Sequence, residues 1–306
     1  MSLWNAEDWL KRFHTPSINP DHYRSLRREV WKSTTSIVER NSYVLPDGRF
    51  VTLRSNQTSR SSSFYKNSFT ASFEPLDTPP EITVIQKDCL DAAHDWVKQG
   101  LSVSVLNLAS RQNPGGGVVE GSGAQEEYLF RCSDYYKFLY RYADYAEKYG
   151  LKRSRNQYPM DRNFGGIYSS GVTIFRENEE TGYKLASHSW KVNMIAVAGI
   201  NTPKLIIENG QQRISPELVE GAKNKIRTIF RIACDNGQRN LVLGALGCGA
   251  FHNPPEHMAE LFKEVINEDE FKGAFLRICF AIKKNNHSPN SENYLAFSKV
   301  FTQNNM

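Results

Sequence analysis

Apolar positions along the 306-residue chain fall into two regimes. Up to residue 40 their spacing is helical. Leu3, Trp4, Trp9, Leu10 and Phe13 mark a short amphipathic segment. Tyr23, Leu26, Val30, Ile37 and Val38 mark a second, capped by Asn19 or Asp21. Arg24, Arg27 and Arg28 lie off its apolar face and are expected to be solvated. Two short apolar runs, 43–45 and 50–53, flank Pro46-Asp47-Gly48 and predict a hairpin. Residues 55–63 are polar and serine-rich, expected as a mobile surface connection rather than a lid.

From residue 81 strand and helix patterns alternate. Strands are predicted over 82–86, 101–108, 172–175, 192–199, 241–246 and 276–282. A helix over 90–98 ends at Gly100. Another starts at Ser215-Pro216-Glu217, faces the core with Leu218, Ala222, Ile226, Ile229 and Ala233, and closes at Gly237. A third opens at Asn253-Pro254 and carries Met258, Leu261, Phe262 and Val265. This alternation predicts an α/β domain with its ligand at the C-terminal ends of the strands.

One stretch organises the chain: residues 106–128, LNLASRQNPGGGVVEGSGAQEEY. A strand runs into the triplet Gly115-Gly116-Gly117, then Gly121 and Gly123, then Gln125-Glu126-Glu127 where a helix begins. Downstream, Tyr128, Cys132, Tyr135, Leu139, Tyr142, Ala146 and Tyr149 recur at steps of three and four. They predict one long helix with a buried tyrosine stripe, a core face rather than a base-stacking platform. Glycines let backbone N–H groups approach an anion, and a helix N-terminus adds unpaired donors. Two acids beside such a site conflict with a phosphate unless they address a neutral part of the ligand, such as a sugar hydroxyl or a glycosidic oxygen. Adjacent on a helix, Glu126 and Glu127 diverge by about 100°, so a division of labour is expected.

A second loop, Gly247-Cys248-Gly249-Ala250-Phe251, also follows a strand and leads to a helix. Neither loop fits the nucleotide-triphosphatase pattern, nor a clean dinucleotide fingerprint with its downstream acid. Lys and Arg total 38 against 33 Asp and Glu, a net +5 that suits an anionic ligand but not a dedicated nucleic-acid binder. Five dispersed cysteines read as reduced thiols in a cytoplasmic setting and argue against zinc. No run approaches the ~20 apolar residues that span a bilayer, and no secretory signal is recognised. A cytoplasmic protein is expected, with export by a signal-less route left open. His94, His188, His252 and His257 are read as structural, and Cys248 as a small buried side chain without a catalytic partner.

The motif PGGGVVEGSGAQEE resembles the signature of the microbial-type poly(ADP-ribose) glycohydrolases, whose catalytic domain is a macrodomain. Asn107-Leu108-Ala109-Ser110 resembles the strand end before that signature, with Leu108 where Phe is expected. The stretch 24–53 resembles the extension of microbial members. The resemblance implies a three-layer α/β/α macrodomain with a mixed central sheet over 79–306, and an N-terminal helical and hairpin extension over 1–78. It implies hydrolysis of ribose–ribose O-glycosidic bonds to release ADP-ribose, without metal or cofactor. Asp88, beside Cys89, would accept from the adenine amino group. Gly115, Gly116, Gly117 and Val118 would wrap the diphosphate and distal ribose, as would Gly247, Cys248, Gly249 and Ala250, with Phe251 packing over that ribose. Gln125 completes the signature, Glu126 would bind ribose hydroxyls, and Asn107 or Asn113 would contact a ribose. Glu127 would be the general acid, then base. Two adjacent carboxylates suit a one-carboxylate mechanism in which a ligand phosphate places the water. The helix dipole should lower the Glu127 pKa and a bound diphosphate should raise it. The partner implied is poly(ADP-ribose) or an ADP-ribosylated protein, not DNA or a membrane. Two rivals use the same residues: a hydrolase removing single ADP-ribose units from protein side chains such as arginine, and a non-catalytic ADP-ribose binding module.

Overall fold

A computed structural model describes residues 3–53, 61–283 and 292–302. The chain opens with α1 (Ala6–His14) and α2 (His22–Arg40), the hairpin strands β1 (Ser42–Val44) and β2 (Phe50–Thr52), and β3 (Ser62–Tyr65). Next come β4 (Glu81–Ile85), α3 (Cys89–Lys98), β5 (Ser104–Leu108), α4 (Gln125–Cys132) and α5 (Tyr136–Leu139). Then follow β6 (Gly166–Arg176), β7 (Leu185–Val197), β8 (Leu205–Glu208), β9 (Gln211–Ile214) and α6 (Pro216–Asp235). The chain ends with β10 (Asn240–Leu243), α7 (Pro255–Ile266), β11 (Arg277–Ala281) and α8 (Glu292–Thr302). Of the serine-rich stretch, 55–60 lie outside the described residues, while Ser62 and Ser63 belong to β3 instead of a loop.

Contacts divide the chain into two compact units. One comprises Met1–Ser62, Gln112–Pro159 and Ser169–Val192; the other Ser63–Arg111, Met160–Tyr168 and Asn193–Met306. The boundary expected at residue 78 falls inside the second of these.

The first unit has an aromatic core. Trp9, Trp31, Phe130, Tyr135, Tyr136, Phe138, Tyr140, Phe175 and Tyr183 are all buried. The tyrosine stripe is core as expected at Tyr128, Tyr135 and Tyr142, but it is not one helix. Chain direction breaks at Ser133, which is extended (φ −149°, ψ 178°) and bridges Ile174 of β6. Its hydroxyl donates to Leu129 O at 2.6 Å, and two short 3₁₀ turns replace regular helix after Leu139. Pairing with a strand 41 residues away in sequence outweighed local periodicity.

A seven-stranded sheet has the order β3-β6-β7-β5-β10-β11-β4, and its strands β5, β10, β11 and β4 belong to the second unit. Strands β7, β5, β10, β11 and β4 are parallel neighbours, so their C-terminal ends share one edge. Only eight residues join β6 to β7, too few for a parallel crossover, so that pair is antiparallel and the sheet is mixed. Ile226, Ile229 and Phe230 of α6 and Met258, Leu261, Phe262 and Val265 of α7 bury against Leu241, Leu243, Ile278 and Phe280. Hairpin β8–β9 was not expected, although its turn, Asn209-Gly210, has φ of 50° and 77°, which the Asn-Gly pair favours.

Helix α6 is buried on more than its apolar stripe, and carries the buried Lys225, whose Nζ donates to Asp161 O at 2.7 Å. Burial lowers the lysine pKa from 10.5 to about 8, partly offset by the Asp161 carboxylate. Between these values the unfolded chain holds a proton that the folded chain has released, so stability rises with pH across that window. Lys225→Met lacks this term. The stability of wild type relative to the variant, followed by thermal melts, should therefore improve from pH 8 to 10, by at most about 3 kcal/mol.

Candidate active site

In the first unit the glycine triplet folds back on itself. Gly115 and Gly116 have φ of 78° and 53°. Gly116 N–H donates to Asn113 O at 3.0 Å, Val118 N–H to Gly115 O at 3.1 Å and Ser122 N–H to Gly117 O at 3.0 Å. The other two donors of the triplet go to carboxylates: Gly115 N–H to Glu126 Oε1 at 3.0 Å, and Gly117 N–H to Glu127 Oε1 at 2.8 Å. The anion this loop holds is the protein's own pair of glutamates. The sequence led us to expect these amides to be open to a ligand; instead all three have internal acceptors. The same bonds explain why two acids tolerate each other here, since each receives a backbone donor at the positive end of α4.

Glu126 and Glu127 leave α4 in different directions, and the loop passes both. Gly116 lies between them: a Cβ there would collide with the Glu127 carboxylate and stand 3.4 Å from Glu126 Oε2. Glu127 is 7% exposed. Its Oε2 is buried and has no hydrogen-bond partner among the described residues. Such an oxygen costs about 1–3 kcal/mol and marks a place for a donor from outside the chain.

Behind the loop stands a set of buried cations that the sequence did not reveal. Arg27, expected to be solvated, makes a bidentate pair with Glu179 at 2.8 and 3.0 Å. The Tyr183 hydroxyl donates to Glu179 Oε2 at 2.9 Å and accepts from Arg131 Nε at 2.8 Å. Arg131, fully buried and one turn beyond Glu127, donates through Nη1 to Ser122 O at 2.7 Å. Burial acts to raise the Glu179 pKa, but its bonds to Arg27 and the nearby Arg131 charge hold it below the ordinary value. Gly121 and Gly123 are glycine for packing: a Cβ would strike Arg24 O at the first and the Arg27 guanidinium at the second. Arg28 pairs with Asp21.

The second unit gathers its site residues at the C-terminal edge of its parallel strands. After β4, Asp88 caps α3, with Oδ1 accepting from Leu90 N at 2.8 Å and Asp91 N at 3.4 Å; Cys89 is buried beside it. Asn107 on β5 is fully buried, in register with Ala196 of β7. The loop after β10 turns at Gly247 (φ 76°). Asn253 organises it: its Nδ2 donates to Ile200 O at 2.7 Å, Gly247 O at 3.0 Å and Phe251 O at 3.2 Å. Among the described residues, the N–H groups of Gly249, Ala250 and Phe251 have no protein acceptor. Three consecutive amides without a protein acceptor are a donor arrangement that an anion could use. Burial pushes the Cys248 thiol pKa well up, with Glu256 adding to it, as suits a packing residue. His257 accepts from Ile214 N through Nδ1 at 2.9 Å, which makes it structural. Asn113, of the first unit, is exposed.

Residues 32–177 match the family model for the microbial-type PARG catalytic domain. Over this stretch, just under half of its length, the chain is similar to that family's catalytic domain. Among solved structures it is similar to a poly(ADP-ribose) glycohydrolase from Thermomonospora curvata. Identity is 27%, covering 90% of this chain and 99% of that one, with a TM-score of 0.71. The same enzyme bound to the inhibitor ADP-HPD matches with 28% identity over 90% and 99% of the two chains and a TM-score of 0.70. A Deinococcus radiodurans poly(ADP-ribose) glycohydrolase in complex with ADP-ribose matches at 25% identity over 98% of both chains, with a TM-score of 0.57. No curated protein sequence matches. The matched segment contains both glutamates and the glycine triplet; Arg27, Glu179, Tyr183 and the second loop lie beyond it. No helix among the described residues is long and apolar enough to cross a membrane.

Tyr183→Phe deletes the hydroxyl between Arg131 and Glu179 and leaves a buried guanidinium short of an acceptor. Unfolding free energy should fall by about 1–3 kcal/mol. Tyr145→Phe, on an exposed ring, should move it by less than about 0.5 kcal/mol in the same calorimetric experiment.

Proposed function

We propose that this chain hydrolyses the ribose–ribose O-glycosidic bonds of poly(ADP-ribose) and releases ADP-ribose, with Glu127 as general acid and then general base. The observation that carries this reading is the Glu127 carboxylate: one oxygen is held by Gly117 N–H, the other is buried without a partner among the described residues. Protonated, that second oxygen donates to the leaving ribose oxygen as the glycosidic C–O bond breaks. The resulting carboxylate takes a proton from the water whose oxygen bonds to the anomeric carbon, which restores the acid. Both transfers use one carboxylate, consistent with Glu126 being engaged by Gly115.

We assign Glu126, with either Asn107 or Asn113, to ribose hydroxyls, and Asp88 beside Cys89 to the adenine amino group. Gly249 and Ala250, with their open amides, suit a diphosphate, with Gly247, Cys248 and Phe251 shaping that loop. Gly115, Gly116, Gly117 and Val118, with Gln125, offer a ligand a surface free of bulky side chains and keep Glu127 in place. The names of the relatives at 25–28% identity support the substrate. The fold that goes with this reading is a three-layer macrodomain over 79–306 with an N-terminal extension over 1–78, acting on the polymer or an ADP-ribosylated protein in the cytoplasm.

Glu127→Gln keeps the size but not the proton, and should lower polymer turnover roughly 10²-fold or more while ADP-ribose still binds. Gly116→Ala forces the Glu127 carboxylate aside and should cost a similar factor of about 10². Released ADP-ribose, followed by mass on polymer and on arginine-linked mono-ADP-ribosylated protein, checks both. Cleavage of the protein-linked unit alone would replace the polymer as substrate, and ADP-ribose binding with no turnover of either would make the protein a binding module. An unimpaired Glu127→Gln enzyme would remove Glu127 from the mechanism.

A further inference from the structure

Within the first unit, an aromatic path leads from the glycine triplet to a basic surface. Gly115 lies against the Phe130 ring, close enough that no Cβ would fit. Phe130 packs on Tyr140 at 5.5 Å between centroids, and Tyr140 on Tyr145 at 5.2 Å and Tyr149 at 4.6 Å. Tyr145 is 37% exposed. Burial raises its phenol pKa, with Tyr149, Asp144, Glu126 and Glu120 adding to the rise.

Around and after it the chain is net basic: the exposed Asp144 and Glu147 are outnumbered by four exposed cations. Lys148, Lys152, Arg153 and Arg155 are exposed, and none of them makes an ion pair among the described residues. The loop is nevertheless anchored: Ser154 N–H donates to Arg141 O at 2.8 Å and Tyr158 N–H to Tyr142 O at 2.9 Å. A cationic, ordered surface with an exposed ring is the arrangement that holds a flexible polyanion bearing bases, with cations on phosphates and the ring under a base.

We propose that Lys152, Arg153 and Arg155, with Tyr145, form a second binding surface for poly(ADP-ribose), holding units of the polymer beyond the one cleaved at Glu127. This rests on the hydrolase reading above. A single-stranded RNA offers similar chemistry, but Tyr145 and these cations share a compact unit with Glu127, which favours the polymer on which Glu127 acts.

The test uses full-length Glu127→Gln protein as the parent, and measures its affinity for poly(ADP-ribose), for monomeric ADP-ribose and for single-stranded RNA as a function of salt. Adding Lys152→Gln, Arg153→Gln and Arg155→Gln together should weaken polymer binding about tenfold or more. The slope of log affinity against log salt should fall by about 2, and monomer affinity should stay unchanged. Tyr145→Leu alone should weaken polymer binding about fivefold or more at constant salt slope. Unchanged polymer affinity and slope in the triple variant would overturn the proposal, as would RNA binding as tight as that of the polymer. Equal losses for polymer and monomer would show that these residues only support the Glu127 site. A parent that binds no ADP-ribose sinks the hydrolase reading, and this surface with it.

Discussion

Two hydrogen bonds from glycine amides to adjacent glutamates hold the functional end of the first unit in place. Gly115 fixes Glu126 and Gly117 fixes Glu127, each through Oε1, and Gly116 lies between them with no side chain because the carboxylates occupy that space. Loop and helix therefore constrain each other. The loop keeps its left-handed turns because the carboxylates take up its amides, and the carboxylates stay buried because the loop supplies donors. No donor among the described residues reaches Glu127 Oε2. That open oxygen is what the proposed proton transfer to a ligand would use.

The two glycine loops look alike as sequences and differ in hydrogen bonding. The first directs its triplet amides inward, to Asn113 and the two glutamates. The second leaves Gly249, Ala250 and Phe251 amides without protein acceptors, because Asn253 braces the loop through its carbonyls instead. One loop thus places an acid, whereas the other offers donors to an anion. Glycine content alone does not separate these roles; where the amides point does.

The first unit invests much of its polar interior in supporting the glutamates. Arg131 and Arg176 are both buried, and among the described residues neither is paired directly with a carboxylate in a salt bridge. Arg176 instead donates to Thr34, Ser33 and Tyr183 O, and burial lowers its pKa to about 10. Both guanidinium groups close on Tyr183, itself in a left-handed conformation at φ 52°. Helices α1 and α2 join this network through Trp4, whose Nε1 donates to Gly182 O at 2.9 Å, and through Arg27. Within this unit the N-terminal segment is part of the scaffold behind the glutamates, not padding.

Much of this was legible in the sequence, because it is local. The glycine triplet, the two acids at a helix start, the second loop and the strand–helix alternation are short-range patterns, and short-range sterics and periodicity give them one reading. The roles of Arg27, Glu179 and Tyr183 were not legible. Arg27 and Glu179 are 152 residues apart, and an arginine off an apolar stripe looks solvated until its partner is in place. The tyrosine stripe misled for a related reason: its 3.6-residue period reported burial correctly, but Ser133 pairs with Ile174, and a long-range bridge ended the helix. By itself, the sequence determined the α/β character of the fold and where its two glycine loops and paired acids stand along the chain. Only the tertiary structure decided that the first loop's amides serve the glutamates and that one oxygen of Glu127 stays unsatisfied, since a donor's choice of acceptor depends on which groups folding brings within 3 Å.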